Sequence, residues 1–219
     1  MELAALGDSA LILRVGDSLG EILAAVRRLE AAQLPGVVEV APAFASVAIF
    51  LQSPEHLANC AAAIPAALGG RRRATTTARA PRSLEVPVCY DLEFAVDLEE
   101  VAQHCGLSPN EVVTRHAAAR YHVRCIGFTP GFPYLSGLPA VLMTPRRATP
   151  RTAVPAGSVA IAGGQAGIYP LRSPGGWNII GRTPLRLFDA FREPAALCAP
   201  GDRLRFVAIT PEEFSRWKK

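Results

Sequence analysis

Lysine is nearly missing from this chain. Of its 23 basic residues 21 are arginine, and the only lysines are Lys218 and Lys219. Without an internal lysine there is no Walker-A phosphate loop, no Schiff-base lysine and no Ser-x-x-Lys nucleophile. Long apolar runs are also missing. The longest, Leu57 to Leu68, contains Asn59 and Pro65 and is about half of the ~20 residues that cross a membrane. Glu2 and Asp8 stand where a secretory leader carries basic residues, so no leader is expected. The cysteines, Cys60, Cys89, Cys105, Cys125 and Cys198, form no Cys-x-x-Cys and no zinc-finger spacing. They read as scattered reduced thiols of a cytoplasmic protein, with no metal site.

Acidic residues are absent over one long stretch. From Val112 through Phe188 there is no Asp or Glu, while the same segment holds nine arginines, at 115, 120, 124, 146, 147, 151, 172, 182 and 186. Such a segment cannot supply a carboxylate metal site or an acid/base carboxylate pair. Planar guanidinium forks there suit a small anion, phosphate or carboxylate. The competing reading is an arginine-rich surface paired by acids from neighbouring segments. The net charge of +4 is too mild for a dedicated nucleic-acid binder. The basic run Gly69–Ser83 has five arginines but no aromatic residue, so it reads as a solvated linker rather than a base-stacking patch. No nucleic-acid or membrane partner is expected.

Glycine and proline are what the second half has in excess: 14 of them lie in residues 1–120 and 23 in residues 121–219. This predicts an α+β protein of two domains, 1–82 and 83–219, with the basic linker at about 69–83. In the first, Ser9–Val15 reads as a strand and Ser18 with Glu21 as a capping box opening a helix to about Gln33. Strands at Val37–Val40 and Val47–Leu51, a helix from Ser53-Pro54 to Leu68, and a strand Leu84–Cys89 complete the order of a split βαβ, ferredoxin-like domain. Beyond it, Asp97–Cys105 and a helix capped by Ser108 and Glu111 precede short β segments: Tyr121–Ile126, Val159–Ala162, Trp177–Ile180, Leu185–Phe188 and Arg203–Val207. These predict a small β-barrel.

Within the acid-free segment the conventional proton carriers are His116 and His122, and His116 is the candidate acid/base group. Arg146 and Arg151 sit in Pro-Arg-Arg-Ala-Thr-Pro-Arg, a loop braced by Pro145 and Pro150. Gly127-Phe128-Thr129-Pro130-Gly131 imitates a nucleophile elbow but fails as one. The residue after the nucleophile would be Pro130, which has no N–H for an oxyanion. Phe128, Phe132 and Tyr134 offer an aromatic wall instead, and Trp177 follows the rigid turn Pro174-Gly175-Gly176. The expectation is that Arg146, Arg151, His116 and Trp177 converge on one cleft.

The stretches GFTPGFPYLSGLP, TPRRATPR, VPAGSVAIAGGQAGIYPL, SPGGWNIIGRTPLRLFD and PGDRLRF, with GDSA at 7–10 and VPVCY at 86–90, resemble the family of 5-oxoprolinase B subunits. That family is also known as KipI-like or as the first subunit of allophanate hydrolase, and belongs to the carboxyltransferase-type domains. The resemblance implies a cyclophilin-like barrel in the second domain. It implies work with A and C subunits to cleave 5-oxo-L-proline to L-glutamate, coupled to hydrolysis of ATP to ADP and phosphate. ATP is then bound by the complex rather than by this chain, and magnesium is held by a partner subunit. By motif it implicates His116, Pro130, Gly131, Phe132, Arg146, Arg151, Gln165, Tyr169, Pro174, Gly175, Gly176 and Trp177. Ala166 departs from the family's usual Thr and removes a hydroxyl beside Gln165. Two other readings stay open: a binding protein that inhibits a sensor histidine kinase, and half of a biotin-dependent carboxyltransferase domain.

Overall fold

The first helix begins where its cap is written. Ser18 adopts an extended conformation and its hydroxyl accepts the Glu21 backbone N–H, which satisfies one of the free donors of the first turn. The computed structural model describes residues 2–69 and 80–217. The chain divides into two units, Met1–Ala80 and Pro81–Lys219. Most of the basic linker, residues 70–79, lies outside the described residues.

In the first unit, β1 (Glu2–Ala5), β2 (Ala10–Arg14), α1 (Leu19–Ala32), β3 (Val37–Pro42), β4 (Ser46–Leu51) and α2 (Leu57–Gly69) follow in order. Pro54 starts a short 3-10 turn ahead of α2, since its fixed φ suits a helix entrance. The sheet order is β1-β2-β4-β3. β2 and β3 both run antiparallel to β4, which lies between them, so β2–α1–β3 is a split βαβ unit as expected. Ile22, Val26 and Leu29 of α1 bury against Leu11, Leu13, Val47 and Ile49 of the sheet. One expectation is corrected. The edge beside β2 is filled by β1, paired from Glu2↔Arg14 to Ala5↔Leu11, and not by Leu84–Cys89.

That segment, β5 (Ser83–Cys89), belongs to the second unit. There α3 (Leu98–Cys105), α4 (Pro109–Ala118), β6 (Tyr121–Ile126), β7 (Pro133–Ser136), β8 (Arg151–Val154), β9 (Ser158–Ala162), β10 (Gln165–Ile168), β11 (Ser173–Gly175), β12 (Asn178–Arg182), β13 (Arg203–Ile209) and α5 (Pro211–Arg216) follow. Seven strands close a barrel in the order β10-β7-β6-β13-β5-β12-β9, and β8 and β11 form a separate ribbon. β5 and β13 pair in parallel along their whole lengths, from Ser83↔Arg203 to Cys89↔Ile209. Ser108 and Glu111 close a full capping box on α4. Leu185–Phe188, expected as a strand, makes only an isolated bridge from Phe188 to Ala196. Two backbone bonds flank that bridge, Leu197 N–H to the Leu187 carbonyl and Asp189 N–H to the Ala195 carbonyl, and the Arg192 guanidinium adds side-chain bonds to the carbonyls of Arg186, Leu187 and Ala195.

Alternation along β9 separates two cores. Val159 and Ile161 face the barrel interior with Val86, Val88, Tyr121, Leu135, Ile180 and Phe206. Ala160 and Ala162 face outward, under Phe132, Tyr169 and Trp177. A strand buried on both faces needs such a second layer, and here that layer is aromatic.

Candidate functional site

The aromatic layer lies on an outer barrel face made of small residues. Gly167 of β10 pairs with Ala160 of β9. A Cβ on Gly167 would stand 2.7 Å from Phe132 Cζ and 3.1 Å from Trp177 Cζ3. Its absence lets both rings rest on the strand. Phe132 meets Trp177 edge-on at 5.6 Å and 90°, and Tyr169 at 5.2 Å and 83°. Such T-shaped pairs add about 0.5–1.5 kcal/mol each beyond simple burial. Gly175 on the ribbon presses against the Tyr169 phenol, leaving no space for a side chain.

Over these rings opens a cleft of about 170 Å³, walled by Phe128, Phe132, Tyr134, Tyr169, Trp177, Gly175 and Gly176, with Arg146, Arg147 and Pro150 at one side. Arg146 is exposed, with its guanidinium carbon 6.0 Å from the Trp177 ring centroid, a cation–π distance. Among the described residues it makes no ion pair. Burial raises the Tyr134 and Tyr169 phenols above their ordinary values, with Arg146 pulling weakly the other way. Both therefore remain neutral hydroxyls at pH 7.

Phe128 stands at the mouth with φ 65. The Thr129 N–H donates to the Gly127 carbonyl at 2.7 Å, so Phe128 is the centre of a three-residue turn. An aromatic residue at positive φ is strained, and such strain gathers at functional sites. Phe128 is 59% exposed and meets Phe132 edge-on at 5.5 Å.

Arg151 does not reach into the cleft. Its Nη1 and Nη2 donate to Asp97 Oδ2 and Oδ1 at 2.8 and 2.6 Å. Arg147 donates to the same carboxylate at 2.7 Å and to Glu100 at 3.0 Å, and the Ile179 backbone N–H adds a bond at 2.7 Å. Asp97 is 1% exposed. It fastens the start of α3 to the arginine loop and to β12. Two arginines beside the cleft are thus neutralised from outside the acid-free segment, and Arg146 keeps an open charge.

His116 is also elsewhere. It is fully buried in the barrel's own core, stacked on Phe206 at 4.5 Å, with Nδ1 2.8 Å from the Tyr90 hydroxyl. Nε2 meets no polar partner. Desolvation pushes the imidazole down from 6.5 to about 3. A group that is neutral from pH 4 upward and sealed among rings is no acid/base catalyst for a surface cleft. The expected convergence of four residues therefore reduces to Arg146 and Trp177, joined by Phe132, Tyr169, Gly175 and Gly176. Gln165 pairs with Ala162 at the end of β10, outside the cleft lining. Gly131 packs against Phe188, Pro130 is an exposed turn residue and Pro174 the exposed centre of β11. Local pattern marks Asp97 only as a helix-start acid. The nine arginines without a local acid are the one sequence signal that a distant carboxylate has to reach them.

The described residues hold no group of three or more His, Cys, Asp or Glu suited to a metal ion. No described helix is long and apolar enough to cross a membrane. Comparison with known proteins agrees over most of the chain. The family described as "Carboxyltransferase domain, subdomain C and D" matches residues 1–198. The B subunit of 5-oxoprolinase from Bacillus subtilis (strain 168) is 39% identical over 228 residues, covering 98% of this chain and 95% of that protein. The crystal structure of TTHA0988 superposes with a TM-score of 0.75 at 38% identity, covering 92% of this chain and 40% of that longer one. The urea amidolyase of K. lactis gives a TM-score of 0.75 at 19% identity over 98% of this chain and 15% of its own, a likeness of fold, consistent with a cyclophilin-like barrel. From this agreement of motif, topology and sequence, the chain belongs to the carboxyltransferase-domain family, subdomains C and D, alongside the B subunits of 5-oxoprolinase.

Proposed function

We propose that this protein is the B subunit of an ATP-dependent 5-oxoprolinase, acting with A and C subunits to open 5-oxo-L-proline to L-glutamate. The observation that carries this reading is the 39% identity to the Bacillus subtilis B subunit over 98% of the chain. The cleft supports it chemically. A five-membered lactam ring suits a small box of aromatic edges, and its carboxylate suits the open Arg146 guanidinium at the rim. A charge-assisted bond of this kind contributes about 1.5–3 kcal/mol.

ATP and its magnesium do not fit this cleft. A volume of about 170 Å³ is below the ~300–1,000 Å³ of pockets for larger ligands, and Arg146 is the one open cation among its described lining residues. Nucleotide and metal are assigned to a partner subunit. The assembly is accordingly a hetero-oligomer, and the isolated chain has little or no turnover.

Two measurements test the reading. Co-expression with candidate A and C subunits is expected to give 5-oxoproline-dependent release of ADP and glutamate. Titration of the isolated chain with 5-oxoproline is expected to change Trp177 fluorescence, with Trp217→Phe removing the second indole. No activity in an intact three-subunit complex would sink the functional reading. Activity without a Trp177 response would move the substrate to another subunit.

A further inference from the structure

A second concavity, of about 400 Å³, lies where β5, β6 and β13 run side by side, and none of its lining residues belongs to the aromatic cleft. The strand register builds it. Arg203 stands opposite Ser83 on one side and opposite His122 on the other. Residues directly opposite across strands have Cβ atoms roughly 4.5–5.5 Å apart. A hydroxyl, a guanidinium and an imidazole therefore sit in one row across three strands. Alternation fixes their direction: Leu204 and Phe206 are buried while Arg203 and Arg205 are exposed, and Tyr121 and Val123 are buried to either side of His122.

Arg120 closes one end. Gly137, at φ 108, has no room for a Cβ because the Arg120 carbonyl presses against it, so the backbone that carries Arg120 is held in place. The groove's one carboxylate, Glu85, is engaged by Arg205. Among the described residues Arg120 and Arg203 have no acidic partner. Their aliphatic stems and Leu84 give the groove apolar walls beneath charged rims.

We propose that this groove is a binding site for a small organic anion, its phosphate or carboxylate head held by Arg203, Arg120 and His122. The row and the adjoining Arg120 supply forked and single donors to one groove, the donor types that planar and tetrahedral oxyanions accept. The acid-free segment thus feeds two places: Arg146 serves the aromatic cleft, and Arg120 serves this groove on another face of the barrel. The groove binds its anion whatever substrate the cleft takes.

The test is an NMR titration of the full chain with inorganic phosphate and, separately, acetate, at constant ionic strength in chloride. Saturable shifts of the His122 ring and the Arg120 and Arg203 side chains are expected, with Trp177 unmoved. Arg203→Gln is expected to weaken binding at least tenfold while the thermal midpoint stays unchanged, because the Arg205–Glu85 pair is intact. Saturation by phosphate alone assigns a phosphate head, and saturation by acetate alone assigns a carboxylate. Shifts that never saturate with either ion, or an affinity unaltered in an Arg120→Gln, Arg203→Gln double variant, would overturn the proposal.

Discussion

Asp97 and Arg151 meet fork to fork, both carboxylate oxygens taken by both terminal guanidinium nitrogens at 2.8 and 2.6 Å. The pair ties the beginning of α3 to β8, 54 residues later. It decides what the neighbouring arginines are free to do.

Removing one partner of a buried pair costs about 3–5 kcal/mol, because the other charge is left behind. Arg151→Ala is expected near the low end, since Arg147 and the Ile179 N–H still hold Asp97. Arg151→Lys keeps the charge but loses the fork and is expected to recover only part. Urea unfolding of the three proteins measures this. An Arg151→Ala protein as stable as the parent would show that the pair contributes nothing.

Arg146 carries the opposite expectation. It is exposed and makes no ion pair among the described residues, so Arg146→Ala should leave stability within about 0.5 kcal/mol. Loss of a charge-assisted bond of about 1.5–3 kcal/mol should weaken 5-oxoproline binding roughly 10- to 150-fold. Calorimetric titration beside a melting curve separates the two effects. The sequence motif points to Arg146 and Arg151 together for this ligand contact, and the Asp97 pairing of Arg151 leaves Arg146.

His116 sets an acid limit on the fold. Its folded pKa, about 3, lies below the unfolded 6.5. Below pH 6.5 the unfolded chain takes up a proton that the folded chain refuses. The stability contributed by the neutral imidazole is whole above 6.5 and falls as pH drops toward 3, by at most about 1.4 kcal/mol per pH unit. His116→Gln cannot titrate, so its unfolding free energy should fall less steeply between pH 6.5 and 4. Parallel slopes for the two proteins would remove His116 from the account.

Gly167→Ala tests the cleft floor. The added methyl meets Phe132 at 2.7 Å and Trp177 at 3.1 Å, and overpacking of this kind costs about 1–3 kcal/mol. A lower midpoint together with a shifted Trp177 emission maximum is expected. An unshifted emission spectrum would mean that the rings do not rest on this strand.

Local signals are the legible ones. Ser108 and Glu111 lie three residues apart, so their capping box is written in one turn of sequence, and it forms in full. Ser18 and Glu21 are spelled the same way, and there the Ser18 half of the box is the one that forms, its hydroxyl accepting the Glu21 N–H. The strand that follows the 127–132 loop, β7, is hidden, because Pro133 masks its start. Proline is tolerated at the first residue of a strand, and β7 pairs on both sides, with β6 and β10. Ser83–Cys89 is recognisable as a strand, yet its order in the chain suggests the first domain. Its alternation says that it has a buried face, not which sheet buries it. The cleft is half legible for the same reason. Trp177, Phe132 and Arg146 announce themselves by type and by their glycine and proline settings. The burial of His116 and the reach of Asp97 depend on contacts 26 to 82 residues apart, which no local pattern encodes.

The parallel seam between β5 and β13 bears on how the chain is made. Its two strands are 120 residues apart, as the Glu85–Arg205 contact measures. On a ribosome, the first unit holds all of its sheet partners before residue 52 has emerged. β12 reaches one edge of β5 first, at Arg182↔Cys89, and the other edge waits for β13, whose pairing runs to Ile209. A long-range parallel pairing of this kind is slow to form, and the exposed edge of β5 is open to wrong partners meanwhile. Val86 and Val88 of β5 share one core with Leu98 and Val101 of α3 and Val112 of α4, so apolar partners for its inner face are translated soon after it, while its hydrogen-bonding edge toward β13 is satisfied last.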